Sequence, residues 1–441
     1  MSSTTPEDPT MNPSIPVIMP PINSTLFTNP RCASADTAYS DAMREVLSLA
    51  SFADAQRHIS QWAGYHATPL ASLPGLAEAV GLGRIHYKDE SGRFGLGSFK
   101  ALGGAYAVGR LLQKEVARLA GHEIAADELG RPEYAGLIRG ITVSCATDGN
   151  HGRSVALGAQ RYGCGCIIYV HAGVSAGRVA AIEAYGAQVV RIAGNYDDSV
   201  RQAAADSARY AHFVVSDTSY PGYLDVPRDV MQGYTVMVDE ILQQMGPKMG
   251  PDPQHLPTHI FVQGGVGGLA AAVCAHCWES LGSRRPRLVV VEPERAACLY
   301  HSAVAGHPVV IDGELDTVMA GLACGEISPL AWRILEQGAS AFQTIDDRSA
   351  LFAMKMLADG GLGDPPIVAG ESAVAGLVGA VAAAQDATWR EQLGLDGTSS
   401  VLVIGSEGDT DPGLYQRIVG RAAGAVRQQA EEHAAIAMTR P

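Results

Sequence analysis

Lysine is scarce in this sequence of 441 residues, with only five copies. They are Lys88, Lys100, Lys114, Lys248 and Lys355. Any chemistry that depends on a lysine amine therefore has only these candidates. Acidic residues outnumber basic residues, 46 against 32, which gives a formal net charge of −14. A protein that binds a phosphate backbone needs a basic face, so this charge argues against nucleic acid as a partner.

The sequence also lacks long apolar runs and a secretory leader. No run reaches the roughly 18 apolar residues of a membrane-spanning helix, so we expect no contact with a membrane. The first ten residues, MSSTTPEDPT, have neither the basic nor the apolar region of a signal peptide. Eight cysteines are too sparse for a secreted disulfide scaffold. We therefore expect a cytoplasmic protein.

Short segments rich in valine and isoleucine alternate with alanine-rich helical segments along most of the chain. The predicted strands lie at residues 85–90, 137–145, 166–171, 188–193, 212–217, 259–264, 287–293 and 400–407. They are apolar on both faces, which indicates parallel strands covered by helices on both sides. The pattern predicts an α/β protein with an open, mostly parallel, twisted sheet flanked by helices, and a second, smaller α/β domain.

The domain organisation follows from changes in composition. Residues 1–40, rich in Pro, Ser and Thr, predict an extended N-terminal arm. Residues 41–115 and 225–441 are expected to form the large domain, and residues 116–224 the small one. Ligands of such sheets bind at the carboxyl ends of the strands. The loops at those ends are therefore where a functional site is expected.

The first such loop, KDESGRFGLGSFKALGGAYA at 88–107, places Ser98-Phe99-Lys100 at the start of a helix. The positive end of the helix dipole disfavours an ammonium group, so we expect a lowered pKa for Lys100. A neutral amine can bond to an aldehyde or remove a proton. The other lysines are placed less suitably, Lys88 for instance at a strand end. A solvated lysine at a helix start would give the same pattern.

The second loop, SCATDGNHGRSVALGAQ at 144–160, turns from a predicted strand into a helix. Its glycines allow the backbone to approach a ligand closely, and N–H groups at a helix start bind carboxylates. Asp148 and Asn150 are equally suited to cap the helix, and His151 to pack in the interior. This loop alone leaves both interpretations open.

The third loop, FVQGGVGGLAAAV at 261–273, carries Gly264-Gly265-Val266-Gly267-Gly268 between a predicted strand and an apolar helix. Such a turn presents backbone N–H groups to a phosphate. It also fits the dinucleotide pattern GxGxxA, and Glu292 would match the acid that binds a ribose. NAD binding is therefore a competing interpretation, although the motif follows several α/β units instead of the first strand.

Together the three loops describe a site for an aldehyde cofactor that carries one phosphate, which is pyridoxal 5'-phosphate. Lys100 would hold the aldehyde through its amine. Asn150 would donate a hydrogen bond to the ring hydroxyl. The glycines of residues 264–268 would bind the phosphate.

With these motifs the chain resembles the fold-type II, or tryptophan-synthase-like, pyridoxal-phosphate enzymes, and among them the diaminopropionate ammonia-lyase family. The resemblance covers about residues 60–415, with motifs that include ATDGNHGR (146–153), SDTSYPGY (216–223), QGGVGG (263–268) and SEGDTDP (406–412). ATDGNHGR discriminates best, because related serine and threonine dehydratases carry Ser at the position of Asp148. The chain departs from the family pattern at Pro221, which replaces an acidic residue, at Ser406, which replaces Thr, and at Gly264, which replaces Ala.

The resemblance implies a carbon–nitrogen lyase and a homodimer. The enzyme would convert 2,3-diaminopropionate, as either enantiomer, to pyruvate and two ammonia by α,β-elimination. Lys100 and Asp148 would take the Cα proton from opposite faces, and Asp148 or Asp217 would protonate the departing amino group. Phe99 would pack near the cofactor ring and Ser406 would face its pyridine nitrogen. The substrate would be bound by Ser98, Thr147, Asp148, Gly149, His151 and Asp217.

Two other functions compete with this interpretation. The first is a hydroxy-amino-acid dehydratase of the same fold, acting on serine, threonine or 3-hydroxyaspartate. Asp148 favours the lyase, since a carboxylate suits an amino group better than a hydroxyl group. The second is an NAD-dependent oxidoreductase, which would rest on the GxGxxA pattern. A pseudoenzyme is disfavoured by the intact Lys100, Asp148 and Asn150.

Overall fold

The computed structural model describes residues 19–147, 149–246, 256–311 and 313–439. The strands are β1 (Ser24–Thr28), β2 (Leu70–Ser72), β3 (Arg84–Asp89), β4 (Thr142–Ala146), β5 (Gly165–His171), β6 (Gln188–Ile192), β7 (Phe213–Val214), β8 (His259–Gln263), β9 (Arg287–Pro293), β10 (Ala341–Ile345) and β11 (Ser400–Gly405). The first nine α-helices are α1 (Asp41–Arg44), α2 (Leu49–Ile59), α3 (Pro74–Ala79), α4 (Lys100–Ala120), α5 (Ala135–Arg139), α6 (Asn150–Tyr162), α7 (Ala176–Glu183), α8 (Tyr196–Tyr210) and α9 (Asp225–Met245). The remaining helices are α10 (Gly268–Leu281), α11 (Cys298–Ala305), α12 (Pro329–Gly338), α13 (Asp347–Asp359), α14 (Ala375–Gln385), α15 (Ala387–Leu393), α16 (Pro412–Val419) and α17 (Ala423–Thr439). Within this part of the chain no helix is long and apolar enough to cross a membrane.

Seven strands form a large sheet in the order β1-β10-β9-β8-β11-β3-β2. The strands from β10 to β3 are parallel to one another, whereas β1 and β2 pair antiparallel at the two edges. Strand β8 is apolar on both faces because both are covered. Ile260 and Val262 pack in the same apolar cluster as α10, and Phe261 packs with α14. All residues of α14 except Gln385 are buried, and α10 is buried from Gly268 to Trp278, which explains why both helices are apolar on all sides over most of their length.

Four parallel strands form a second sheet in the order β6-β5-β4-β7.

In the large sheet the chain goes from β8 to β9 on one side, while β11 and β3 lie on the other side. The loops after β8 and β11 therefore diverge and leave a crevice at the carboxyl ends of these strands, where ligands of such sheets bind. The predicted fold class, a mostly parallel α/β sheet with a second, smaller sheet, is confirmed.

The predicted strands overlap the observed ones with two main differences. Leu137 to Arg139 lie in α5, so the prediction of a strand over 137–145 is wrong in its first part; Gly140 caps this helix before β4 begins. Only two residues of the segment 212–217 form a strand, β7. The remainder of that segment leaves the sheet and carries Asp217 toward the site described below.

Three strands, β1, β2 and β10, have no counterpart in the sequence prediction. The sequence of β10, AFQTI, contains two polar residues, although the whole strand is buried. Gln343 is accommodated because its Nε2 donates to Ser24 Oγ at 3.1 Å and to Gly379 O at 3.2 Å. Part of the predicted N-terminal arm is thus strand β1, which pairs with β10.

Candidate active site

Lys100 is the first residue of α4, just after the turn that follows β3. This turn is attached to the end of β11 by a hydrogen bond of 3.1 Å from Phe99 N to Ser406 O. Gly97 has a φ of +82°, and its carbonyl accepts a hydrogen bond from Gly408 N at 3.0 Å. A residue with a side chain rarely adopts this conformation, so the glycine permits the turn. The structure thereby brings Lys100 and Ser406 together, although they are far apart in sequence.

The Lys100 ammonium group forms an ion pair with the Asp217 carboxylate, with Nζ 2.5 Å from Oδ2. The two side chains are only 21% and 19% exposed. Burial favours the neutral amine, but the charge of Asp217 outweighs it and raises the pKa of Lys100 above its ordinary value. The prediction that the helix dipole lowers this pKa is therefore wrong, because a full charge at this distance exceeds the partial charge of a helix end. In turn Lys100, with a smaller effect of His151, lowers the pKa of Asp217 despite its burial.

His151, in the first turn of α6, lies beside the same carboxylate. Its Nε2 is 2.8 Å from Val215 O, and its Nδ1 is 3.9 Å from Asp217 Oδ2. The side chain is buried, and Nδ1 has no hydrogen-bond partner among the described residues. Burial, reinforced by Lys100 and opposed by Asp217, lowers the pKa of His151.

Two aromatic rings border the Lys100 amine. The rings of Phe99 and Tyr234 lie 4.7 Å apart between centroids, and Lys100 Nζ is 5.6 Å and 6.0 Å from them. Phe99 was a predicted site residue. Tyr234 was not, since it lies on α9 within a helical pattern that indicates only core packing.

The glycine-rich turn at 264–268 leads from β8 into α10. Gly264 N donates to Val291 O at 2.9 Å and Gly267 N to Gly264 O at 3.0 Å. The amides of Gly265, Val266 and Gly268 have no backbone or side-chain acceptor in the part of the chain that the structure describes. Such a cluster of N–H groups at a helix start suits a phosphate.

The turn and the lysine lie close to one aromatic ring. A Cβ atom added at Gly268 would be 3.9 Å from Cε2 of Tyr234, the ring that also borders Lys100 Nζ. A Cβ atom at Gly265 would be 3.6 Å from Gly321 O. The absence of side chains therefore keeps this side of the crevice open. The structure brings together the first and third predicted loops.

Glu292 decides against the dinucleotide interpretation. Its carboxylate is fully buried and accepts hydrogen bonds from Leu299 N at 3.0 Å and Tyr300 N at 2.7 Å, in the first turn of α11. Burial raises its pKa to about 8, and these two hydrogen bonds act against that shift. A carboxylate saturated inside the protein is not available to a ribose hydroxyl, so Glu292 does not have the role that the NAD interpretation requires.

Ser406 lies at the end of β11, buried beside the Lys100 turn. Its hydroxyl oxygen accepts a hydrogen bond of 3.3 Å from Gln263 Nε2, which also donates to Ile404 O at 2.6 Å and Ala373 O at 3.1 Å. Gln263 was not predicted as a site residue. Its side chain holds the Ser406 hydroxyl in place from the neighbouring strand β8.

The second predicted loop lies at the start of α6. Thr147 Oγ1 accepts hydrogen bonds from Gly149 N at 3.0 Å and from Gly152 N at 3.1 Å, which shapes the turn. Asn150 Nδ2 donates to the carboxylate of Glu407, another residue that was not predicted. Asp148 lies outside the described residues.

Ser98 completes the predicted set. Its hydroxyl accepts a hydrogen bond of 3.3 Å from Lys100 N, and its backbone forms a bridge with Glu407.

The helices of the smaller sheet make two further contacts with loops next to the large sheet. Arg178 on α7 forms an ion pair of 2.9 Å with Glu371, and Ser175 Oγ donates to Asp411 Oδ2 at 3.0 Å.

The residues present fit pyridoxal phosphate. A buried amine, two aromatic rings and a turn with unpaired amides lie in one crevice, as an aldehyde with an aromatic ring and one phosphate requires.

Residues 62–407 match the family of pyridoxal-phosphate-dependent enzymes. The diaminopropionate ammonia-lyase of Escherichia coli K12 is 39% identical over 362 residues, which cover 81% of this chain and 88% of the relative. The Salmonella typhimurium diaminopropionate ammonia-lyase is 38% identical, with 81% and 90% covered.

This chain belongs to the diaminopropionate ammonia-lyase family. The crystal structure of the Escherichia coli family member in complex with an aminoacrylate-PLP azomethine reaction intermediate has a TM-score of 0.80 and 35% identity, covering 91% of this chain and 98% of that chain. A probable D-serine dehydratase of Burkholderia thailandensis is 30% identical over 58% of each chain. Members of the family are fold-type II pyridoxal-phosphate enzymes, so the predicted family and cofactor are confirmed and the NAD interpretation is wrong.

Proposed function

We propose that this protein catalyses the α,β-elimination of 2,3-diaminopropionate to pyruvate and two ammonia. The observation that carries the proposal is the buried Asp217 carboxylate, 2.5 Å from the Lys100 amine. A carboxylate in this position can bind the β-ammonium group of a diamino acid by charge and hydrogen bonding. It can also return a proton to that group as it leaves.

Lys100, Asn150, Ser406 and the turn at 264–268 are the residues that would hold pyridoxal phosphate. When bound, the cofactor supplies the electron-withdrawing group that acidifies the substrate Cα–H bond. The Ser406 hydroxyl is neutral, and Gln263 Nε2 donates to it. It therefore offers the pyridine nitrogen a hydrogen bond without a negative charge.

The start of α6 is where the substrate carboxylate would bind. The first N–H groups of a helix have no partner within the helix, and the dipole there favours an anion. Asn150 and His151 are the first two residues of α6, while Thr147 Oγ1 already occupies the amides of Gly149 and Gly152. We propose that Ser98 and Asp217 bind the same substrate from the opposite side. Asp148 remains a proposed second base.

A second candidate is a dehydratase that acts on a hydroxy-amino acid. It is supported by the relative named a probable D-serine dehydratase and by a structure of the Escherichia coli family member in complex with D-serine. An uncharged β-hydroxyl group can form a hydrogen bond with Asp217 but no ion pair, so we expect a hydroxy-amino acid to be the weaker substrate.

The experiment is an assay of pyruvate and ammonia with D- and L-2,3-diaminopropionate, serine, threonine and 3-hydroxyaspartate. We expect diaminopropionate to give the highest kcat/KM and two ammonia per pyruvate. Lys100→Ala serves as the inactive control. Higher kcat/KM with a hydroxy-amino acid would replace this function by the dehydratase, and turnover by Lys100→Ala would refute the role of the lysine.

We further propose a cytoplasmic homodimer in which residues 116–224 form the small domain. The location is supported by the composition of the chain, and the dimer by its family resemblance. The domain boundary is supported by the division of the strands, since β4 to β7 form one sheet and β8 returns to the other. Size-exclusion chromatography with light scattering tests the dimer. Limited proteolysis in the loop after α4, which ends at Ala120, and in the loop before α9, which begins at Asp225, tests the boundary.

A further inference from the structure

Nδ1 of His151 is a basic nitrogen that faces Asp217 and takes no part in the ion pair between Asp217 and Lys100. Its Nε2 lies 2.8 Å from Val215 O, and a carbonyl oxygen only accepts, so Nε2 carries the proton of the neutral ring. Nδ1 is then left with a lone pair. It is buried, has no hydrogen-bond partner among the described residues, and lies 3.9 Å from Asp217 Oδ2.

Two acceptors that face each other in a buried site repel unless one of them carries a proton. Asp217 and the neutral His151 ring both offer lone pairs across this gap, and an unpaired buried polar atom is costly. The ammonium group of Lys100 now compensates the carboxylate. When the Lys100 amine is engaged by cofactor chemistry, that compensation ends. One proton on Nδ1 or Oδ2 would then satisfy both groups, once the ring and the carboxylate close from 3.9 Å to hydrogen-bond distance.

Few other groups near this pair exchange protons at neutral pH. Cys145, Tyr223 and Tyr234 face it from β4, from the loop after β7 and from α9. Burial raises the pKa of each of these side chains, so all three stay protonated and neutral. Within the described part of the chain, Lys100, His151 and Asp217 are therefore the groups around the carboxylate that change charge.

We propose that His151 is a positioning residue that shares one proton with Asp217 and keeps Asp217 able to act as an acid toward the leaving β-amino group. This inference rests on the proposed function. The Cα–H electron pair forms the new double bond, and the Cβ–N pair leaves with nitrogen. The β-amino group reacts as a neutral amine, having given one proton to the Asp217–His151 pair on binding, so the departing nitrogen takes its proton back from Asp217 Oδ2. The Cα proton, accepted by Lys100 Nζ, passes across the 2.5 Å contact to Asp217, so one proton leaves carbon and one arrives on ammonia.

The test variant is His151→Gln. A glutamine amide can replace Nε2 as donor to Val215 O, but it has no basic nitrogen at the position of Nδ1. The matched control is His259→Gln. His259 is also buried and its Nε2 lies 2.8 Å from Leu393 O, but its Nδ1 faces the Thr258 hydroxyl at 2.8 Å instead of an acid.

We expect His151→Gln to lower kcat for diaminopropionate at least about tenfold, part of what a general acid contributes, with little change in KM. Turnover of 3-chloroalanine should change by less than about twofold, because chloride leaves without a proton. His259→Gln should affect neither. Equal loss with both substrates would show that His151 only supports the fold, and unchanged turnover of diaminopropionate would also overturn the proposal.

A second measurement does not depend on turnover. In protein with 15N-labelled histidine, NMR should identify His151 with a protonated Nε2, and Asp217→Asn should shift the titration of Nδ1 to lower pH. No shift would refute the shared proton. If wild-type enzyme proves inactive on diaminopropionate but active on a hydroxy-amino acid, the proposed function fails. Turnover of that substrate and of 3-chloroalanine by His151→Gln, compared with the wild-type enzyme, still decides the role of His151.

Discussion

Lys100 Nζ lies 2.5 Å from Asp217 Oδ2, although 117 residues separate them. The lysine begins α4 next to the large sheet, and the aspartate follows β7 of the smaller sheet. The contact therefore joins the two sheets at the point where the reaction is proposed to occur. It also sets the protonation of both groups, because each charge stabilises the other in a largely buried place.

Asp217→Asn should speed the uptake of pyridoxal phosphate by the apoprotein while it lowers turnover. The carboxylate raises the pKa of Lys100, and only the neutral amine attacks an aldehyde. Without that charge, burial favours the neutral amine, and each unit of pKa change alters its fraction about tenfold. The growth of the visible absorbance of bound cofactor measures the rate. Asp229→Asn, which changes an acid on α9 paired with Arg110 and Lys114, is the control and should leave the rate unchanged.

Gly265→Ala should weaken cofactor binding much more than it weakens the fold. Gly265 has a φ of +56°, a conformation that costs a residue with a side chain about 1–2 kcal/mol, although a methyl group would meet no atom closer than 3.6 Å. Gly163, which caps α6, has a left-handed backbone with φ of +82° and ψ of 26° and open space around it, so Gly163→Ala carries a comparable backbone strain away from the site. We expect similar losses of stability in both variants, and at least a tenfold higher Kd for pyridoxal phosphate, about 1.4 kcal/mol, in Gly265→Ala alone. Equal Kd values would contradict a phosphate site at this turn.

The sequence alone predicts those site residues that lie in local patterns. Lys100 and the glycines at 264–268 each follow a strand and precede a helix, and fold and cofactor follow from that arrangement. Tyr234 and Gln263 carry no such pattern. Tyr234 lies within a long amphipathic helix, and Gln263 ends a buried strand, so only tertiary contacts show that one borders Lys100 and the other holds Ser406.

The same limit explains the error about the pKa of Lys100. A helix start is visible in the sequence and its dipole is a general property, but the position of Asp217 depends on how two sheets pack. Glu407 was missed for a related reason. It follows β11 directly, yet its partner Asn150 begins a helix of the other sheet, and no spacing in the chain connects the two.

Glu292→Gln should reduce the loss of stability on going from acid to neutral pH. Burial raises the pKa of Glu292 to about 8 in the folded protein, above about 4.3 in an unfolded chain. A carboxyl group with a raised pKa takes up a proton on folding, so its contribution is complete below the unfolded pKa and is lost as the pH rises through about 8. Glutamine does not titrate. Thermal unfolding between about pH 5 and about pH 8 should therefore be flatter in the variant, and parallel curves would show that Glu292 does not titrate in this range.

Glu240→Ala should strongly destabilise the fold because it breaks a buried ionic cluster under the Lys100 loop. The cluster consists of Lys88, Glu90, Arg93 and Glu240, none more than 5% exposed. Arg93 donates to both Glu240 oxygens, at 2.8 Å and 2.7 Å, and Lys88 Nζ donates to Glu240 Oε2 at 2.9 Å. Lys88 lies near the end of strand β3, as expected from the sequence, and is fully buried there.

The charges of this cluster sum to zero, so removal of Glu240 leaves two buried cations with one anion. Breaking a buried pair in this way costs about 3–5 kcal/mol, whereas an exposed pair contributes about 0–1 kcal/mol. Asp54→Ala is the control, since it removes an exposed partner of Arg57 at 3.0 Å. Urea unfolding of both variants should show a lower free energy of unfolding for Glu240→Ala alone. A loss below about 1 kcal/mol would mean that Lys88 and Arg93 find other partners or water when Glu240 is absent.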